Sequence, residues 1–207
     1  MISSLLLVRH GQSTWNAERR WQGQADPPLS EFGRDQARRA AQTLHSVAES
    51  IDVVVSSPQL RAAETADILL AHTPSLFGVE SVERDRDLRE RSVGPWSGLT
   101  KLDIEEQYPG YLASDQRPAG FELDDSLFER VSRSLRRIGT NYSDRTVLVV
   151  CHGGVINTLV SRLGVVDGRT PNLSGYRLFA ESGVITVQGR FDLLEESDRT
   201  GGDANRV

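Results

Sequence analysis

Three segments of this 207-residue chain end an apolar run in side chains that can do chemistry. Leu5-Leu6-Leu7-Val8 leads into Arg9-His10-Gly11. Ile51-Asp52-Val53-Val54-Val55 leads into Ser56-Ser57-Pro58 and, one helical step later, Arg61. Thr146-Val147-Leu148-Val149-Val150 leads into Cys151-His152-Gly153-Gly154. A neutral imidazole is a nucleophile or a proton carrier, and a guanidinium is a forked, permanently charged donor. Two of each, gathered in one place, suit a tetrahedral dianion such as phosphate. An isolated histidine after a strand more often serves structure. Two in matching positions, each followed by glycine, shift that balance. Gly11 and Gly153 are expected to let backbone N–H groups approach an anion. Arg61 alone is weak evidence. So is Glu90, which lies in the charged run over residues 83–91.

The elements that would carry these groups follow from the apolar pattern. The three apolar runs read as buried strands of a parallel-type sheet. Helices are expected over residues 30–47 and 60–70. Another is expected from Ser126, where Ser126-x-x-Glu129 reads as a capping box, and a last one after Gly153-Gly154. Residues 11–29 read as a long polar loop, residues 78–82 as a strand, and residues 101–123 as a short helix followed by an excursion. Residues 176–187 read as a hairpin around Ser182-Gly183. Alternating strands and helices predict one three-layer α/β/α domain over residues 1–196, with a mostly parallel central sheet. Ligands of such sheets bind beyond the carboxyl ends of the strands, where His10, Arg61 and His152 fall. The polar tail over 197–207 is expected to be disordered.

Composition narrows the function classes. A net charge of −5 offers a nucleic acid no bulk attraction, although a local Arg/His cluster still suits a small anion. No apolar stretch is long enough for a membrane span. The start lacks a basic segment and its apolar run is too short for a signal peptide, so a cytoplasmic location is expected. Cys151 is the single cysteine, so no internal disulfide forms. The four histidines, at 10, 45, 72 and 152, have no metal-ligand spacing. Neither a metal nor another cofactor is expected. A homodimer is compatible with the sequence, which does not decide the oligomeric state.

Five blocks, in order over residues 5–163, resemble the histidine phosphatase superfamily in its cofactor-dependent phosphoglycerate mutase-like branch. The first is Leu7-Val8-Arg9-His10-Gly11-Gln12-Ser13-Thr14-Trp15-Asn16, continued by Gln22-Gly23. The second is Leu29-Ser30-Glu31-Phe32-Gly33-Arg34. The third is Ser56-Ser57-Pro58-Gln59-Leu60-Arg61-Ala62. The fourth is Leu88-Arg89-Glu90-Arg91 with Gly94-Pro95-Trp96-Ser97-Gly98, and the fifth is Val149-Val150-Cys151-His152-Gly153-Gly154. The resemblance implies a phosphoglycerate mutase-like fold and a role for each matched residue. His10 resembles the nucleophile that accepts the phosphoryl group. Arg9, Arg61 and His152 resemble the rest of its phosphate clamp. Asn16, Gly23 and Gly153 resemble further phosphate contacts, and Glu90 resembles the proton donor.

The implied activity is metal-independent hydrolysis of a small phosphomonoester, with phosphoglycerate mutase-type transfer as the alternative. A non-catalytic interaction protein is disfavoured, because all five central residues are present. Mutases of the family carry a longer, basic insertion before the last helices and an aromatic residue where this chain has Val93. Residues 101–125 here are short and acidic, which favours the phosphatase and predicts a lid that disfavours highly charged substrates. The Gly-Glu-Ser block common in small phosphatases of the family is not clear here, where Glu122 and Ser126 are its displaced counterparts or the block is lost. Trp15, Trp21, Phe121 and Leu123 either rim the substrate site or pack the long loop.

Overall fold

The computed structural model describes residues 2–76, 78 and 81–199. A six-stranded sheet runs in the order β3-β2-β4-β1-β5-β6. Its parallel part comprises β1 (Ile2–Arg9), β2 (Val53–Ser56), β3 (Glu83–Arg84) and β4 (Thr146–Cys151). The last two strands, β5 (Ser174–Glu181) and β6 (Val184–Asp192), add an antiparallel edge. They form the expected hairpin, turning on Ser182 and Gly183, both at positive φ. That pair of angles matches the strand twist of a two-residue hairpin.

Side chains alternate along the central strands and supply two cores. Leu5, Leu7, Val147, Val149 and Cys151 face α5 (Asp124–Asn141) and α6 (Gly153–Arg162). Leu6, Val8, Leu148 and Val150 face the alanine-rich sides of α2 (Glu31–Thr43) and α3 (Leu60–His72). A buried strand that packs helices on both faces must be apolar at consecutive positions, which is why these runs show no alternation. The three-layer reading therefore holds. No helix among the described residues is long and apolar enough to cross a membrane.

Four expectations need correction. The strand assigned to residues 78–82 is found instead at Glu83–Arg84; Gly78 pairs with the Ile51 carbonyl, and residues 77, 79 and 80 lie outside the described residues. Helix α5 begins at Asp124, so Ser126 is its third residue rather than its cap. Two aspartates in the first turn complement the helix dipole and replace the capping box. The polar loop after β1 contains a short helix, α1 (Thr14–Ala17), closed by a box in which Ser13 and Asn16 cap each other. Lastly, residues 197–199 of the expected tail belong to a 3-10 turn, Glu196–Arg199, in which Asp198 pairs with Arg39, and residues 200–207 lie outside the described residues.

A smaller third core closes the top of the molecule. Val93, Trp96 and Ile104 pack there with Trp21, Tyr108 and Phe121, on the segment that includes α4 (Lys101–Gln107).

Candidate active site

Strand register explains how distant residues meet. Arg9 pairs with Cys151 and Ser56 with Val150, in the adjacent trio β2-β4-β1. The next residues, His10, His152 and Ser57, therefore leave the sheet side by side. The His10 and His152 ring centroids are 5.2 Å apart, and Ser57 Oγ lies 2.8 Å from His152 Nε2. Both imidazoles and Arg61 are almost completely buried.

His10 Nδ1 lies 2.6 Å from the Gly11 carbonyl oxygen. That oxygen only accepts, so Nδ1 carries the proton and Nε2 keeps its lone pair. Asn172 holds the His10 carbonyl at 2.7 Å. Burial, then the Arg61 and Arg9 guanidiniums, hold His10 well below the ordinary histidine range. Burial, then Arg61 and His10, do the same for His152. Both rings are thus neutral at pH 7. His152 Nδ1 is buried without a hydrogen-bond partner among the described residues, as is Arg61 Nε. Unpaired buried polar atoms are costly and cluster where a ligand completes them.

Arg61 sits on the first turn of α3. Its Nη1 donates to the Ala25 carbonyl at 2.9 Å and its Nη2 to the Gly23 carbonyl at 3.0 Å. Burial pulls its pKa down to about 10, which leaves it charged at pH 7. Arg9 Nη1 donates to the Thr170 carbonyl at 2.8 Å. Asn16 uses its amide oxygen in the α1 capping box, so its NH₂ is the group left to serve the cleft. Cys151, between these residues in sequence, is buried in the core with its thiol pushed up by burial, and is no nucleophile.

Glu90 meets the N-terminus of α6. Its Oε2 accepts from Gly154 N at 3.0 Å and its Oε1 from Arg91 N at 2.7 Å. A Cβ on Gly154 would stand 2.4 Å from Glu90 Oε1, so a larger residue there would push the carboxylate out of this position. The expectation for Gly11 is corrected. Its N–H donates to Thr65 Oγ1 at 3.1 Å, and a Cβ there would stand 2.6 Å from the Gly33 carbonyl oxygen. Gly11 is thus small in order to pack against α2, and not to greet an anion.

These groups line one cleft of about 360 Å³. Arg9, His10, Asn16, Gly23, Arg61, Glu90 and Gly153 all reach its wall; His152 lies behind, against His10. The wall also holds Arg19, Arg20, Arg91, Arg117 and Arg169, against Glu90 and Asp124 as its only carboxylates among the described residues. The acidic lid expected from residues 101–125 is therefore absent. Its acids are engaged instead: Asp103 caps α4, Asp115 pairs with Arg117, Asp125 with Arg162 and Glu122 with Arg130, while Asp124, which does reach the wall, pairs with Arg91. Trp15, Trp21 and Phe121 line the cleft, while Leu123 is exposed at the start of α5. Trp21 also packs edge-on against Trp96 and Phe121, so it both rims the site and braces the loop.

Two residues escaped the sequence reading. Arg130 divides its guanidinium between the Glu90 segment and Glu122. It donates to the carbonyls of Asp87 and Arg89 at 2.7 Å and of Glu90 at 3.2 Å, and it forks onto Glu122 at 2.7 and 2.8 Å. The available signal was an arginine three residues after Leu127, at the margin of the buried stripe of α5. Gln59, before α3, is buried and joins three loops. Neither residue type carries chemistry at a spacing that would mark it.

A family model for the histidine phosphatase superfamily (branch 1) matches residues 5–178. The chain belongs to the histidine phosphatase superfamily. It is 37% identical to phosphoglycerate mutase-like protein 4 of Arabidopsis thaliana, over 97% of this chain and 94% of that one. It is 36% identical to a metal-independent phosphoserine phosphatase of the same plant, over 78% of this chain and 69% of that one. A solved mycobacterial glucosyl-3-phosphoglycerate phosphatase, complexed with VO3, superposes with a TM-score of 0.75 at 30% identity, covering 89% of this chain and 96% of that one. As a histidine phosphatase the chain is an enzyme, and the phosphoglycerate mutase-like architecture is the one expected.

Proposed function

We propose that this histidine phosphatase hydrolyses a small phosphomonoester through a phosphohistidine on His10, without a metal. The observation that carries the proposal is the neutral, buried His10 whose Nδ1–H is held by the Gly11 carbonyl. His10 Nε2 attacks phosphorus, the N–P bond forms, and the bond to the leaving oxygen breaks. The ring gains positive charge, which the Gly11 carbonyl stabilises. Arg9, Arg61, Asn16, Gly153 N–H and the buried His152 Nδ1 bind the equatorial oxygens. In this reading the Ser57 hydroxyl donates to His152 Nε2 and keeps a proton on Nδ1. Gly23 acts mainly through its carbonyl, which fixes Arg61. Glu90 gives a proton to the departing oxygen and then takes one from water. That water's oxygen binds phosphorus as the N–P bond breaks, and inorganic phosphate leaves.

The arginines at the mouth refine the substrate class. Arg20, Arg91 and Arg117 each meet a carboxylate, on Asp103, Asp124 and Asp115. Arg19 is exposed at positive φ on the cleft wall and meets no carboxylate among the described residues. The alcohol carried by the substrate accordingly bears its own anionic group, reversing the preference read from the acidic composition. Names among the relatives, such as phosphoserine phosphatase and glucosyl-3-phosphoglycerate phosphatase, are compatible with that class. The same cationic mouth suits a mutase that retains an anionic intermediate. The test is turnover of p-nitrophenyl phosphate in chelator, beside 3-phosphoglycerate with a trace of 2,3-bisphosphoglycerate. Release of inorganic phosphate supports the phosphatase; formation of 2-phosphoglycerate without phosphate release overturns it in favour of the mutase.

A further inference from the structure

Gln59 connects the two halves of the reaction. Its Nε2 donates to the Gly23 and Ala25 carbonyls, both at 3.1 Å. These are the same two oxygens that receive the Arg61 guanidinium. Its Oε1 accepts from Glu90 N at 2.7 Å. All three groups of the amide are therefore engaged, and the side chain is buried. The opposite amide orientation would set an oxygen against two carbonyl oxygens, so the arrangement has one sense only. The loop over residues 23–25, the start of α3 and the Glu90 segment meet at this one amide.

We infer that Gln59 is a positioning residue that holds the Glu90 backbone in register with the Arg61 phosphate site. The inference rests on the reading of Glu90 as proton donor. Arg130 grips the carbonyls of the same segment from the other side, leaving Gln59 to fix its N–H. Removing the amide frees the Glu90 peptide, while Arg61 keeps its own two carbonyls. The loss should thus fall on proton donation and spare phosphate binding. A small displacement of a catalytic group is sufficient to slow the step that needs it.

The test compares kcat/KM, which reports phosphoryl transfer to His10, for an alkyl phosphomonoester and for p-nitrophenyl phosphate. The alkoxide needs the proton and the nitrophenolate does not. Gln59→Met should lower the alkyl value about tenfold and the aryl value less than about threefold, a leaving-group split of the kind expected for a misplaced acid. Affinity for inorganic vanadate should move less than about threefold, since Arg61 is retained. Gln59→Glu keeps the shape but turns a carboxylate oxygen toward two carbonyls, and should slow the alkyl reaction further than Gln59→Met. If Gln59→Met loses its fold, which a thermal midpoint reports, the second variant is Gln59→Asn, whose shorter neutral amide cannot span from the two carbonyls to Glu90 N and should give the same leaving-group split. Equal losses on both substrates, or weakened vanadate binding, would overturn the inference and make Gln59 a general structural residue. An unchanged alkyl rate in Gln59→Met beside a slowed Glu90→Gln would overturn it while leaving Glu90 as the donor. A Glu90→Gln enzyme with no leaving-group dependence would remove the donor and the inference together.

Discussion

The floor and the mouth of the cleft are built differently. The floor comprises His10, Arg61, Ser57 and His152, fixed by strand register and buried between two large cores. The mouth rests on a small third cluster and carries arginines such as Arg19 on exposed backbone. A buried neutral imidazole and a buried guanidinium are costly unless the fold holds them, so the core itself preorganises the floor. The mouth is held by single ion pairs and ring contacts, such as Arg91 and Arg117 on Phe121, at 5.4 and 5.3 Å. Chemistry belongs to the part that cannot move, and choice of substrate to the part that varies cheaply.

Substitutions should separate the two. His10→Ala is expected to lower turnover of every phosphomonoester by about 10⁴-fold or more, because no other buried nucleophile among the described residues lines the cleft. A folded variant with near wild-type rates would remove the floor from the account. Arg61→Ala should cost about 10³-fold in kcat/KM for alkyl and aryl phosphates alike, as loss of a buried charge on the phosphoryl oxygens. A loss confined to one substrate would assign Arg61 to the mouth. Glu90→Gln should lower kcat/KM about 10²-fold for an alkyl ester and only slightly for p-nitrophenyl phosphate; uniform loss would contradict its role.

The floor also has a pH signature. His10 and His152 stay neutral when folded, whereas in the unfolded chain they take up protons below about pH 6.5. The unfolded state then binds more protons, so this stabilisation is full above about pH 6.5 and is lost as the pH falls. Denaturant titrations should therefore show stability falling as the pH drops from 7 to 5. His10→Asn should remove roughly half of that dependence; an unchanged dependence would contradict the neutral, buried ring. The smallest effect belongs to the mouth. Arg19→Ala should reduce kcat/KM about tenfold for a phosphomonoester bearing a carboxylate and leave a neutral one unaltered. Equal rates on both would withdraw the anionic substrate class.

The floor was more legible in the sequence than the mouth, for a physical reason. Strand ends in a parallel sheet are marked by apolar runs, and neighbouring strands bring their next residues together. His10, Arg61 and His152 could therefore be gathered from three separate segments. The helix start expected near residue 30 was legible locally as well, and there the Ser30 side chain caps α2 by accepting from Gly33 N. Where a carboxylate points is a tertiary property. Asp115, Glu122 and Asp125 made residues 101–125 acidic in composition, yet each turns to an arginine and the cleft wall is cationic. Gln59 and Arg130 were unreadable likewise, because their work is to hold backbone carbonyls and N–H groups that no residue type announces. Gly11 was legible as a required glycine but for the wrong cause, since the close approach is to Gly33.

The central claim is the covalent step at His10. Mixing the enzyme with a phosphomonoester, quenching within one turnover under alkaline conditions and mapping the modified peptide by mass spectrometry tests it directly. One phosphoryl group is expected on His10, bound through Nε2, formed in Glu90→Gln with an aryl phosphate and absent in His10→Ala. Turnover with no phosphoenzyme, or a phosphoryl group on any other residue, would contradict it.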